Sequence, residues 1–246
     1  MTISLEGKSI LIIGGARRIG RAIALECARS GAKVAFTFNT SHDEAQSTLA
    51  GLRQLVPTGQ FAAYPLNVTD ASAWLTLAED VERDFGSLFG LVFCAAIFKR
   101  TPPTTLSVAD FDEHIAVNLK GPFLGCHTFG ERLEEGGSIV LFSDIYATRP
   151  LLNYIPYCTS KAGVEMLCKG FAKALAPRRV RVNCIAPGAI LPVEGEENSV
   201  EELVARVPLR RLGGVEEVAR TAVFLLGGSE FLTGIIIPLE GGQLLR

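Results

Sequence analysis

Two kinds of segment alternate along this chain. Short, largely apolar runs recur at Ser9–Ile13, Lys33–Phe38, Phe61–Leu66, Leu88–Ala95, Ser138–Phe142, Val180–Ala186 and Ile235–Pro238. Apolar runs of this length, bounded by turn residues, read as strands covered on both faces. Between them lie stretches with helical spacing: Ile19–Ser30, 43–55, a segment capped by Asp70 and running to about Phe85, Val108 to about Arg132, Tyr157–Leu175 and 215–226. Gly31 and Gly86 are placed to stop two of these helices, and Gly121–Pro122 predicts a bend within the fourth. Residues 187–212 form a looser segment, with a lid over about 191–207 that is rich in acids (Glu194, Glu196, Glu197, Glu201, Glu202).

Strands separated by helices are βαβ units, and these give a parallel sheet with helices on both faces. The pattern predicts an α/β fold: one doubly wound Rossmann domain over 1–246 with a parallel seven-stranded sheet. Ligands of such sheets lie beyond the carboxyl ends of the strands. The glycine turn after the first strand, Ala95–Phe98, Asp144 and Pro187–Gly188 all follow strands, so one crevice should collect them.

Composition adds exclusions. With 246 residues, 48% of them hydrophobic, and a net charge of -2, the chain has a large core and no basic field for nucleic acid. Residues 1–8 are too short and polar for a signal peptide, and no apolar run reaches membrane-spanning length. Six cysteines (27, 94, 126, 158, 168, 184) fall singly, with no metal-ligand spacing. These features predict a cytoplasmic protein with reduced core thiols, no metal and a small-molecule substrate.

The candidate chemistry begins with Tyr157 and Lys161, which share a helix face one turn apart. A free tyrosine ionises near about 10, and a lysine cation beside it should pull that value down toward useful proton transfer. Such a pair needs a cofactor to exchange electrons. The turn Gly14-Gly15-Ala16-Arg17-Arg18-Ile19-Gly20 suits a pyrophosphate: its glycines allow close approach, and the helix start offers free N–H groups. The second strand ends in Asn39-Thr40-Ser41, with no acid for ribose hydroxyls, while Arg17 or Arg18 can pair with a 2′-phosphate. NADPH is the expected cofactor.

Over its whole length the chain resembles the short-chain dehydrogenase/reductase family. The turn, Asn118, Tyr157–Lys161, Pro187-Gly188, the Pro208–Gly213 stretch and the ending Leu232-Thr233-Gly234 to Glu240-Gly241-Gly242 carry the likeness in order. The resemblance implies that Tyr157 passes a proton to the substrate, Lys161 binds nicotinamide ribose and Asn118 holds a water relay. It also implies that Asn67 and Val68 flank the adenine, that the Ala95 carbonyl and the backbone near Ile190 touch ribose and nicotinamide amide, and that the protein is a homotetramer packed through the helices at 108–132 and 157–175.

Departures from that family pattern point to a branch. Thirteen residues before Tyr157 the family carries a serine where this chain has Asp144, and a turn glycine is replaced by Arg18. Both, with Phe98 after the fourth strand, resemble the pteridine reductase branch, in which the phenyl ring stacks a pterin. A carboxylate can accept from a pterin's N–H groups or, if its pKa is raised, protonate a ring nitrogen. Asp144 could instead be a turn residue with Ser143 in the serine's place, and Phe98 could be packing alone. Three functions follow: NADPH-dependent reduction of a pterin or dihydropterin, with Arg18, Phe98, Asp144 and Tyr157 at the substrate; reduction of a 3-oxoacyl or sugar ketone with the same Tyr157 and Lys161; or a catalytically idle NADPH-binding regulator.

Overall fold

The computed structural model describes residues 3–192 and 200–245. Seven strands, β1 (Ser9–Ile13), β2 (Lys33–Phe38), β3 (Phe61–Pro65), β4 (Leu88–Phe93), β5 (Leu133–Phe142), β6 (Arg181–Pro187) and β7 (Ile236–Leu239), form one sheet in the order β3-β2-β1-β4-β5-β6-β7. Every neighbouring pair is parallel, as the apolar runs required. The helices are α1 (Arg18–Arg29), α2 (His42–Leu55), α3 (Ala71–Phe85), α4 (Val108–Ile115), α5 (Gly121–Phe129), α6 (Ile155–Leu175), α7 (Val200–Ala205) and α8 (Val215–Val223).

Successive strand residues point to opposite faces, so the sheet feeds two cores. Ile10, Ile12, Val34 and Phe36 pack with Ile23, Leu52 and Val218 of α1, α2 and α8. Leu11, Ile13, Leu91 and Phe93 pack with Trp74, Phe129 and Val164 of α3, α5 and α6. The expected cap is present, with Asp70 accepting from Ser72 N–H at 2.9 Å, and Gly86 closes α3 at φ 69.

Three details differ from expectation. Within the segment at 108–132 a π-helical turn, Ala116–Lys120, joins α4 to α5, with Gly121 N–H bonded to the Ala116 carbonyl. Pro122 has no N–H to return to the Asn118 carbonyl four residues earlier, and a widened turn accommodates that gap. The fifth strand starts at Leu133 rather than Ser138, because its pairing jumps from Leu88–Leu133 to Gly90–Ser138 around Gly136 at φ 81. Within the segment read as loose lies α7, with Glu201 and Glu202 in its first turn, where the helix dipole favours acids. Residues 193–199, with Glu194, Glu196 and Glu197 of the expected lid, lie outside the described residues.

The sheet reverses its winding between β1 and β4, and there the backbone is drawn together. The Ile13 carbonyl accepts from both Cys94 N–H (2.8 Å) and Ala95 N–H (3.0 Å). In the turn above it, a Cβ on Gly20 would lie 2.0 Å from the Gly14 carbonyl oxygen. Gly20→Ala should therefore lower unfolding stability by about 3 kcal/mol in urea titration, and a loss below about 1 kcal/mol would show that the turn opens freely.

Candidate active site

The crevice is built from strand ends. Gly14, at φ 82, is packed so closely that a Cβ there would meet Ala95 N at 2.9 Å. After this turn α1 starts with no side-chain cap and no acid in its first turn. Its first N–H groups and the positive end of its dipole are thus shaped for an anion. Ile19 is half-buried behind them, and Arg17 and Arg18 are exposed. Arg18 has φ 50, a left-handed conformation that side chains resist, which accounts for glycine being the family's residue there. Its Nη2 donates to the Pro192 carbonyl at 3.1 Å, tying the turn to the start of the lid segment.

The other expected nucleotide residues line the same edge. Asn39 and Thr40 are exposed and Ser41 half-buried at the end of β2, with the nearest acids, Asp43 and Glu44, inside the first turn of α2. Asn67 is exposed, and its side-chain oxygen accepts from Thr69 N–H and Oγ1 at 3.1 and 2.9 Å; Val68 is buried and its carbonyl holds the Trp74 indole at 3.1 Å. Pro187 ends β6, Gly188 N–H bonds the Leu239 carbonyl, and Ile190 is buried against Gly213. Glycine cradle, uncapped helix and strand ends together fit a dinucleotide.

The candidate catalytic groups meet one layer deeper. The Tyr157 hydroxyl donates to Asp144 Oδ2 at 2.7 Å, and Asp144 Oδ1 accepts from Tyr146 N–H at 2.9 Å. Asp144, not Ser143, faces Tyr157: the buried Ser143 hydroxyl is turned to Glu165 of α6 at 3.2 Å. Burial pushes the Asp144 carboxyl above its usual range, against the opposing pull of its two hydrogen bonds and of Lys161. Burial and the neighbouring carboxyl push Tyr157 well above the usual phenol value. This corrects the expectation that the lysine lowers Tyr157. Lys161 Nζ sits 5.7 Å from the Tyr157 ring centroid and donates to the Phe142 carbonyl at 2.9 Å, while burial lowers its own pKa. A carboxyl within hydrogen-bond distance outweighs a more distant ammonium. The thiols near Lys161 stay protonated, Cys94 pushed up to about 12 and Cys184 to about 11 by burial. All six cysteines are free, and no metal-binding cluster occurs among the described residues.

Asn118 stands in the π-helical turn. Its side chain accepts from Ile97 N–H (2.8 Å), donates to the Ile97 carbonyl (2.9 Å) and reaches Ser160 Oγ at 3.3 Å. The side chain thus clamps the loop after β4, and Pro122 leaves the Asn118 carbonyl without its ordinary helical donor. Phe98 follows that clamp. Its ring stacks on Tyr154 (4.4 Å, 15°) and meets Tyr157 edge-on (4.6 Å, 83°), so one face is already covered. Sequence reasoning missed Tyr154, whose only signal is its place three residues before Tyr157, and the buried Gln243, whose Oε1 accepts from Ala189 N–H at 3.2 Å.

A doubly wound sheet with a phosphate cradle and a buried tyrosine–lysine pair at its carboxyl edge defines a nucleotide-dependent oxidoreductase. A family model described as enoyl-(acyl carrier protein) reductase matches residues 14–243, and the chain belongs to the short-chain dehydrogenase/reductase family. It is 35% identical to the 3-oxoacyl-(acyl-carrier-protein) reductase of Thermotoga maritima, covering 98% of this chain and 99% of that one. It is 33% identical to the acetoacetyl-CoA reductase of a Synechocystis species over 99% of both chains. A crystal structure of a dehydrogenase/reductase from Sinorhizobium meliloti superposes with a TM-score of 0.92 at 32% identity, covering 98% and 97% of the two chains. The family uses a nicotinamide nucleotide.

The raised Asp144 carboxyl has a consequence for stability. A carboxyl whose folded pKa exceeds its unfolded value favours the native state at low pH and penalises it as pH rises through that window. Asp144→Asn should therefore raise the melting temperature at pH 8 more than at pH 5; an equal shift at both would show that the carboxyl is not strained by burial.

Proposed function

We propose that the protein is an NADPH-dependent reductase of small carbonyl compounds, of the 3-oxoacyl or related ketone kind. The observation that carries this reading is the buried Tyr157–Lys161 pair below the phosphate cradle, with a carboxyl 2.7 Å from the phenol. The names of the Thermotoga and Synechocystis relatives support it. NADPH, when bound, would supply the hydride for the carbonyl carbon. Gly14, Ile19 and Gly20 would hold its pyrophosphate, Arg17 or Arg18 with Asn39, Thr40 and Ser41 its 2′-phosphate, Asn67 and Val68 its adenine, and Ala95, Pro187, Gly188 and Ile190 its ribose and nicotinamide. Tyr157 gives its proton to the substrate oxygen, Lys161 holds the nicotinamide ribose, and the Asn118 carbonyl, lacking its helical donor, leads replacement protons in.

Asp144 distinguishes this site from one with serine. Protonated, it donates to the substrate carbonyl alongside Tyr157; ionised, it competes for the Tyr157 proton and repels the developing alkoxide. Ketone reduction should thus fall as pH rises through the raised Asp144 pKa. The same carboxyl favours a second reading, reduction of a pterin or dihydropterin, in which it contacts amino and ring nitrogens while Arg18 and Phe98 border the ring. An idle regulator has no use for the buried Tyr157, Lys161 and Asn118. No helix among the described residues is long and apolar enough to cross a membrane. A cytoplasmic homotetramer fits the exposed Phe123, Ile155 and Met166 of α5 and α6. Light scattering giving only a 26.4 kDa species would refute the tetramer.

The decisive assay is NADPH oxidation with acetoacetyl thioester, dihydropterin and dihydrofolate in parallel. Tyr157→Phe should lower turnover about a hundredfold or more while leaving NADPH affinity near normal, and a variant keeping half its activity would move the acid role to Asp144. Asp144→Ser should spare ketone reduction, flatten its pH dependence and abolish pterin reduction; loss on the ketone would reverse the order of the two readings. Asn39→Asp should shift preference toward NADH, and wild-type protein using NADH equally well would exclude the 2′-phosphate site.

A further inference from the structure

The loop after β4 is fastened at both ends beside the reacting tyrosine. At Ile97, the Asn118 amide holds both backbone groups, at 2.8 and 2.9 Å. At Thr101, the backbone N–H and Oγ1 both donate to the Asn153 carbonyl, at 2.7 and 3.2 Å, and Thr101 is buried. Asn153 is held at φ 69, a left-handed conformation unusual outside glycine, which aims its carbonyl at Thr101 and delivers the next residue, Tyr154, against Phe98. Between the two fastenings Phe98 lies parallel to Tyr154 at 4.4 Å and perpendicular to Tyr157 at 4.6 Å.

That spacing leaves no room for a ligand between Phe98 and Tyr154, because parallel rings around an intercalated ring stand about twice as far apart as a single stacked pair. The pair is a closed two-ring wall. Phe98 nonetheless keeps 37% of its surface exposed while its ring stands perpendicular to that of Tyr157. A wall fixed by four hydrogen bonds does not reshape itself around a bulky group, and its free aromatic surface gains most from a flat, conjugated partner.

We propose that the Phe98–Tyr154 pair is a specificity-determining wall that selects carbonyl substrates whose reacting group is conjugated to a flat ring. This rests on the carbonyl-reductase reading and narrows it to ring-bearing 3-oxo compounds. Tyr154 acts by positioning Phe98, so it sets substrate choice without touching the reacting atoms.

The test uses matched probes: ethyl benzoylacetate, which carries a phenyl ring on the ketone, and its cyclohexyl analogue, of equal bulk but not flat. Wild-type protein should favour the phenyl ester in kcat/KM, and Tyr154→Leu should reduce that phenyl-to-cyclohexyl ratio about tenfold, the upper range of an aromatic stacking contribution. Tyr154→Phe should keep the ratio, since the stack survives without the hydroxyl. Thr101→Val, which removes one fastening and keeps the bulk, should move the ratio in the same direction by a smaller factor, and it serves if the leucine variant folds poorly. A ratio of one in wild-type protein, or a ratio that Tyr154→Leu and Thr101→Val leave unmoved, would overturn the wall as a selector. Failure of wild-type protein to reduce either ester or ethyl acetoacetate would instead remove the carbonyl-reductase reading, and the wall's assigned role with it.

Discussion

The two hydrogen bonds that the Ile13 carbonyl accepts from Cys94 and Ala95 are the contact on which the rest of the molecule depends. They join the ends of β1 and β4, the strands between which the winding of the sheet reverses. Only there can one turn present free amides at a helix start while the neighbouring loop reaches over toward α6. Gly14 has to be glycine on two grounds, its positive φ and its packing on Ala95. From this junction the Ala95–Thr101 loop is led across to Asn118, Asn153 and Tyr157.

The chemistry of the site is an argument between burial and charge. Buried Lys161 and Tyr157 and half-buried Asp144 form one cluster, and burial disfavours the charged form of each. The cluster therefore tends toward neutrality, with the Tyr157 hydroxyl donating to the Asp144 carboxyl. A serine in place of Asp144 would leave the phenol facing the lysine alone. The carboxyl makes the proton inventory of this site dependent on pH in a way that a hydroxyl does not, and this is the property that both the ketone and the pterin readings use.

The π-helical turn shows how a local defect serves a site. Pro122 withholds a donor, the helix widens over Ala116–Lys120, and Asn118 is held where its amide grips Ile97 while its carbonyl has lost its usual partner. A regular helix would satisfy that carbonyl internally. The sequence carries the cause, Pro122 four residues after Asn118, but periodicity reports only that the whole stretch is helical, so a bend was the natural expectation.

What the sequence determined by itself is what depends on near neighbours along the chain. Apolar runs and helical spacing set strands and helices, because burial of a strand on both faces leaves no polar alternation. Glycines at 14, 31 and 86 marked positive φ, and the spacing of Tyr157 and Lys161 put them on one helix face. Strand order, by contrast, and every relation across it were decided by the tertiary structure. That Asp144 rather than Ser143 faces Tyr157 depends on which way the chain leaves β5, and two adjacent residues point to opposite sides. The balance of charge at Tyr157 depends on distances between separate elements, so the lysine's expected influence gave way to a carboxyl nearer the phenol. Tyr154 reached Phe98 only because two loops, 52 residues apart in the chain, were fastened together at Thr101 and Asn153. Packing between distant segments leaves no periodic trace in sequence, and that is the physical reason the wall beside the site was visible only in the folded chain.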